Sequence, residues 1–448
     1  MGPISRALPA AVLALTVCAT APAMAKVHLL YTFWGGTEEA DIQRQLVAAF
    51  NERHPGIEVE ALHIPSGYEA KVQTMIAGGA GPDIMFFQDE PFPAWVRTGV
   101  FEDLSPYFAK DPSIDFNDFL PQTREYFQYN GRQWSLPAEG GPITWYYNRT
   151  FFAEAGLPFP TRNWTVAEFL DDVRKLTRDF DGDGRMDVFG VTMPDGWIYN
   201  EPWVWTFGAR YLDIDMEKRE IAQVLTNTPE FVEAMKFLQD VRFAYGVHGG
   251  SFTEGTSAMY ITGPWGISGT APRMAAAGYD WDFAHMPIGP RGDRATRQSF
   301  DTWVIWSGSP HKEEAYQFVS FAHSPEGQRL FSTRAMPARF SALRSLIRPD
   351  TPFHEEVFVE IMQEYGWMQP THLLYNEVGR VFDTYVNRVL RNEIPPREAA
   401  ERMYREGNAI LASVWPENWQ AAWEETGTIP ADEADRIFAA YRALRGGR

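Results

Sequence analysis

The chain has 448 residues, with 40 Lys+Arg against 59 Asp+Glu and a formal net charge of -19. That length accommodates two or three domains with sizeable cores, and 22% charged with 45% hydrophobic residues excludes a disordered or fibrous chain. The acidic balance also argues against nucleic acid or an anionic membrane as the main partner, because both need clustered Lys and Arg. Aromatic content is high at 15%, with 16 Trp and 18 Tyr. Several of the indoles sit beside Gly or Pro, which points to flat apolar contact surfaces as well as core.

Residues 1–25 read as an export signal. Arg6 supplies the positive start, residues 10–19 are a short apolar run, and Ala23-Met24-Ala25 suits a small-x-small cleavage site before Lys26. The single cysteine, Cys18, lies in this segment, so the mature chain forms no disulfide. A lipid anchor at Cys18 is the competing reading, although Val17 suits it poorly. No later apolar run reaches the roughly 18 residues of a membrane-spanning helix. A periplasmic, soluble protein is therefore expected.

From Lys26 the pattern alternates. Residues 27–32 read as a strand, 38–54 as a helix stopped by Pro55-Gly56, 57–63 as a strand, 68–77 as a helix and 83–87 as a buried strand. Such a series predicts a parallel sheet covered by helices, with ligand beyond the carboxyl ends of the strands. Those ends hold Trp34-Gly35-Gly36 and Gln88-Asp89-Glu90. A second region begins near Pro137, with a strand at 143–148, a Thr165-capped helix at 166–177 and a helix at 229–245. Strands return at 281–285 and 302–306. Helices are predicted at 312–322, 326–332, 353–365, 378–391, 396–412 and 433–444.

Several segments, in order, carry a family likeness: Trp34-Gly-Gly, Phe50-Asn-Glu-Arg-His-Pro-Gly-Ile57, Gly81-Pro-Asp-Ile84, Trp145-Tyr-Tyr-Asn148, Phe151-Phe-Ala-Glu-Ala-Gly-Leu157, Asn163-Trp164, Met259-Tyr-Ile-Thr-Gly-Pro-Trp265 and Met336-Pro337. In these the chain resembles the extracellular solute-binding proteins of carbohydrate ABC importers, the group of the maltose- and glycerol-3-phosphate-type receptors. The resemblance implies an α/β, two-lobed fold with a parallel-rich sheet in each lobe and a helical C-terminal region. Lobe 1 would comprise 26–138 and 282–335, lobe 2 the stretches 139–281 and 336–448. The ligand would be a mono-, di- or oligosaccharide, polyol or glycoside, held in an interlobe cleft that closes like a hinge. The membrane subunits of an importer would be the protein partner, and the receptor would act as a monomer.

Sugar recognition needs aromatic faces for the C–H side of the ring and forked polar groups for its hydroxyls. Trp265 leads, because Gly263-Pro264 sets it on a tight turn after a strand; the competing reading is a ring folded under its own loop. Trp197, Tyr199, Trp203 and Trp205 form a second aromatic group after Met193-Pro-Asp-Gly196, and Trp145 a further candidate. By the resemblance, Trp197 leads that group. From the first lobe come Trp34, Gly35, Gln88 and Asp89, with Glu90 as an alternative, and Asp301 and Trp303 from a late strand. Arg339 suits hydroxyls or an anionic group, or equally an interlobe ion pair. Trp367, His372 and Tyr375 fall where the family's last ligand segment lies. The glycerol-3-phosphate-type receptors carry an arginine near there; this chain shows no equivalent, which favours a neutral sugar.

Asp179, Asp181, Asp183 and Asp187, with Gly184 and the Arg185 carbonyl, match the first nine positions of a calcium loop, but position 12 is Gly190 rather than Glu. A structural Ca2+ is expected there, against a solvated acidic turn; no other cofactor is required. No Gly-x-Ser-x-Gly elbow, zinc helix or phosphate loop occurs, so catalysis is not expected. The alternatives are a secreted glycosidase or lyase, which needs a juxtaposed carboxylate pair such as Asp89 and Glu201, and a surface adhesion module, which the lack of tandem repeats disfavours.

Overall fold

The computed structural model describes residues 26–414, except 130, 216–219, 333–334, 347–353, 355 and 369–373. The signal segment, His372 and the predicted helix at 433–444 therefore lie outside the described residues.

The opening series forms as the periodicity predicts: β1 (Val27–Phe33), α1 (Thr37–Arg53), β2 (Ile57–His63), α2 (Tyr68–Ala77) and β3 (Ile84–Phe87). β1 lies between β2 and β3 and runs parallel to both, with Val27 opposite Ile57 and Tyr31 opposite Ile84. Leu29, Tyr31 and Phe33 are fully buried, as are Leu46 and Phe50 on the inner face of α1. Such burial contributes about 1.5–3 kcal/mol per large apolar side chain.

Beyond β3 the sheet continues through antiparallel ladders with Thr296–Ile305, Pro137–Pro142 and Met336–Pro337, and Gly366–Met368 joins it parallel to the start of Thr296–Ile305. The second, three-stranded sheet (Met259–Thr262, Thr144–Asn148, Trp281–Ala284) is antiparallel throughout. A parallel-rich arrangement thus holds for β2-β1-β3 and not for the second sheet.

Three segments differ from the sequence reading. The predicted strand at 302–306 is the latter half of the ten-residue strand Thr296–Ile305. Pro137–Pro142 was not predicted as a strand, having no β-branched residue. It needs Gly140 because, at φ 158°, a Cβ would lie 1.9 Å from the Ser299 carbonyl oxygen. The aromatic group at 197–205, not predicted as a helix, forms the helix Trp197–Thr206, with Pro202 inside it.

The helices at Val166–Leu176, Pro229–Phe243, Lys312–His323, Pro325–Phe331, Glu356–Glu364, Tyr375–Leu390 and Pro396–Val414 match the predicted ones. The first starts on a reciprocal cap: Thr165 Oγ1 accepts the Glu168 N–H at 3.2 Å, and the Glu168 carboxylate accepts the Thr165 N–H at 2.7 Å. Two hydrophobic cores result. One gathers β1–β3, α1 and Lys312–His323; the other gathers Trp145, Phe169, Trp203 and the helices Pro229–Phe243 and Tyr375–Leu390.

His323 ends its helix inside the first core, with Nδ1 2.9 Å from the Val319 carbonyl and Nε2 2.9 Å from that of Leu136. Burial holds its imidazole down at about 4, and the Arg339 guanidinium pushes the same way. The unfolded chain takes up this proton near 6.5. His323 therefore supports folding fully above pH 6.5 and loses about 3 kcal/mol of that support by pH 4. Urea midpoints of His323→Gln, which keeps a donor but no titration, are expected to fall less than the wild type's between pH 6.5 and 4.

Candidate functional site

The carboxyl ends of β1 and β3 and the start of Thr296–Ile305 meet at one place. After β1, Gly35 turns at φ 123°, where a Cβ would lie 2.8 Å from Glu39 Oε2. That same oxygen accepts the Gly36 N–H at 2.6 Å, and His63 Nε2 donates to the Gly35 carbonyl at 2.8 Å. Trp34 is half-buried, its ring 5.8 Å from that of Phe86. After β3, Gln88 is half-buried and Asp89 is 1% exposed. Asp89 accepts Ser299 Oγ at 2.8 Å and the Phe300 N–H at 3.3 Å.

Asp301 stands opposite Glu139 in the strand register, at a β-bulge between Asp301 and Thr302. Bulges of this kind re-aim side chains beside binding sites. Burial, then the neighbouring Asp89 and Glu39 charges, push the Asp301 carboxyl well above its usual range. Burial also raises Asp89, with the Arg297 guanidinium pulling the other way. Arg297 itself is 1% exposed; Nη2 donates to Glu90, and Nη1 lies 3.5 Å from Glu201 Oε2, a carboxylate on the helix Trp197–Thr206.

Facing this acidic wall is an aromatic one. Pro264 opens a single 3-10 turn, Pro264–Gly266, and the Trp265 ring folds back over Gly263, where a Cβ would lie 2.3 Å from it. The Gly263 carbonyl accepts the Tyr146 hydroxyl at 2.8 Å. The Tyr199 hydroxyl faces Trp265 and Thr262, with Tyr260 beside it; burial raises both tyrosines. The Glu39 charge acts on Tyr199 as well as on Asp301, so the aromatic and the acidic groups lie near one another. Trp205 is half-buried and stacks on Tyr211, while Trp367, opposite Arg297 in the register, is 60% exposed. Tyr375 begins a helix, and its side chain is outside the described residues.

Four candidates lie elsewhere. Trp145 is wholly buried against Phe169 and Trp203, and Trp203 packs on Phe237. Trp197 is 4% exposed among Tyr211, Phe231 and Phe382. Trp303 is core as well, its indole N–H donating to the Tyr31 hydroxyl at 3.0 Å. Arg339 is 4% exposed, binds Asp118 at 2.7 Å and the His323 carbonyl at 2.8 Å, and lies over the Phe119 ring. These side chains are already spent on packing and internal pairing, which is why they do not serve the gap. Sequence reasoning missed Glu39, Tyr260, Arg297 and Ser299. Glu39 reads as an ordinary first-turn acid, and Arg297-Gln-Ser gives no strand signal.

In the acidic loop, one oxygen each of Asp179, Asp181 and Asp187 lie within 4.8 Å of one another; Asp183 is not among them and accepts the Arg185 N–H at 2.7 Å. Asp179 accepts the N–H groups of Gly182 (2.7 Å) and Gly184 (2.9 Å), and the latter helps hold its carboxyl low. Gly190 has no room for the missing Glu: a Cβ there would lie 2.0 Å from the Val173 carbonyl oxygen.

The chain belongs to the bacterial extracellular solute-binding proteins, a family it matches over residues 35–329. These are binding proteins that work outside the cytoplasm, not enzymes. Its two-lobed α/β fold is shared with an ABC substrate-binding protein from Listeria monocytogenes in complex with cycloalternan (24% identity, 86% of this chain and 99% of that one, TM-score 0.76). A maltose/maltodextrin-binding domain from Bdellovibrio bacteriovorus bound to maltotriose gives 19% identity, 86% and 100% coverage and a TM-score of 0.73. The galactooligosaccharide-binding protein of Bacillus subtilis (strain 168) is 20% identical over 391 residues, 82% of this chain and 86% of that protein. No helix among the described residues is long and apolar enough to cross a membrane.

The raised Asp301 carboxyl has a thermodynamic consequence. Its support for the fold is complete only below the unfolded value near 4 and is lost as pH rises through the folded value. At neutral pH it is a burden. In the ligand-free protein, Asp301→Asn is expected to add about 1–2 kcal/mol of stability at pH 8, and less at pH 4.5, in thermal melts.

Proposed function

We propose that this protein captures a mono-, di- or oligosaccharide, polyol or glycoside between the two walls and delivers it to an ABC importer. The observation that supports this reading is the gathering of Tyr199, Tyr260 and Trp265 near Glu39, Asp89 and Asp301. Aromatic faces cover the C–H side of a sugar ring, while carboxylates accept two hydroxyls each. The ligands carried by the similar proteins, a galactooligosaccharide, cycloalternan and maltotriose, support the same chemistry. Export through a cleaved signal at 1–25, lobes divided at 138, 281 and 335, and action as a monomer belong to the proposal. Closure on the guest follows from differential affinity for the closed form.

Titration with neutral oligosaccharides is expected to change Trp fluorescence with one-to-one stoichiometry, the sugar being recovered unchanged by chromatography. Bond cleavage at catalytic rates would favour the glycosidase or lyase reading instead. Trp265→Ala is expected to weaken binding by about 1–3 kcal/mol; an unaltered Kd removes that ring from the site.

A structural Ca2+ in the loop 179–187 is a separate part of the proposal, supported by its three converging carboxylates. Millimolar Ca2+ is expected to raise Tm in the wild type and not in Asp181→Asn; equilibrium dialysis without uptake would remove the ion.

A further inference from the structure

The chain passes between its two larger sheets at neighbouring places. It leaves Pro137–Pro142 for Thr144–Asn148 through Ile143 alone, and returns from Trp281–Ala284 to Thr296–Ile305 through residues 285–295. The two passages are tied together. The Ile143 N–H donates to the Arg297 carbonyl at 2.8 Å, and Thr296 Oγ1 donates to the Ile143 carbonyl at 2.7 Å. Tyr365, between the helix Glu356–Glu364 and Gly366–Met368, holds the second passage at both ends. Its carbonyl accepts the Thr296 N–H at 3.1 Å, and its hydroxyl accepts the Met286 N–H at 3.2 Å. A turning of one lobe against the other is absorbed at such element ends. Here α1 approaches the helix Ile267–Ala277, which follows Met259–Thr262 of the second sheet, so the lobes stand drawn together.

His285 lies buried in this hinge. Because the Tyr365 hydroxyl accepts from Met286, its own proton goes to His285 Nδ1 at 2.8 Å. The imidazole proton is therefore on Nε2, 3.1 Å from Glu360 Oε2. The surrounding charges come from three elements. Arg162 pairs with Glu360 at 3.0 Å and with Glu364; Arg294 lies 3.8 Å from Glu364, its guanidinium 4.2 Å from the centre of the Tyr365 ring. Burial, then Arg294 and Arg162, hold the imidazole below its ordinary 6.5, with Glu360 opposing. Burial raises the Tyr365 phenol, which keeps its proton.

We propose that His285 is a proton-operated latch: neutral, it holds the lobes together through Tyr365; protonated, it releases them. An added proton enters at Nδ1, where it faces the Tyr365 O–H and takes away that hydroxyl's acceptor. The resulting charge is buried and stands near Arg294 and Arg162, with Glu360 already shared with Arg162. Opening the hinge returns the imidazole to water and to its ordinary value, so proton uptake favours the open form. The latch is complete above pH 6.5 and weakens as pH falls below it. It belongs to the hinge and does not depend on which guest the protein takes.

The test is small-angle X-ray scattering on the ligand-free protein between about pH 7.5 and 5, a window that spans the ordinary histidine value. The radius of gyration of the wild type is expected to shift upward as pH falls, with native near-UV circular dichroism throughout. His285→Gln and, separately, His285→Asn, each keeping one polar contact without the titration, are expected to lose that shift. A wild-type radius that does not change, or an equal rise in either folded variant, overturns the latch. Neither result bears on the saccharide reading, which the sugar titrations decide.

Discussion

A buried guanidinium must be met by carboxylates or it destabilises the protein by several kcal/mol, and Arg297 meets that demand with acids from different parts of the chain. Glu90 follows β3, Glu201 lies on the helix Trp197–Thr206, and Arg297 itself stands on the strand Thr296–Ile305. That strand has several neighbours along its length. Its start runs parallel to Gly366–Met368, its middle pairs with Pro137–Pro142, and its end pairs with β3. The positions of the acidic wall and of the helix that carries Tyr199 are therefore fixed by the same residue. Ion pairs of this kind add little net stability, but they penalise every other arrangement of their partners.

The acids of the site differ from several polar groups of the first core in how they are satisfied. In the first core, Trp303 reaches Tyr31, His323 lies between two carbonyls and Arg339 holds Asp118, so these three polar groups are paired. At the site, burial raises the carboxyls of both Asp89 and Asp301, and the Asp89 charge raises Asp301 further. A protein maintains such a conflict where a guest resolves it, and perturbed carboxyls collect at functional sites for that reason.

Much of the fold was legible because periodicity is a local property. The alternation of β1 through β3 and the apolar stripes of the later helices stand in the sequence itself. The helix Trp197–Thr206 was obscured by Pro202, and Pro137–Pro142 by its glycines, whose requirement arises from a neighbouring strand far along the chain. The site divides the same way. Trp265 was legible because Gly263 and Pro264 announce a tight turn. Trp145, Trp197 and Trp303 offered the same residue type, and only tertiary packing tells a core indole from one at an opening. Glu39 and Arg297 were invisible because their importance comes from what lies opposite them.

Gly263 carries a consequence for how the receptor can change. The indole of Trp265 rests directly on that bare backbone. Any side chain introduced at 263 would lever the plate outward into the space a guest would use. Retuning of ligand preference is thus left to other positions of the site, such as 199, 260 and 301. The backbone beneath the plate is thereby held to glycine.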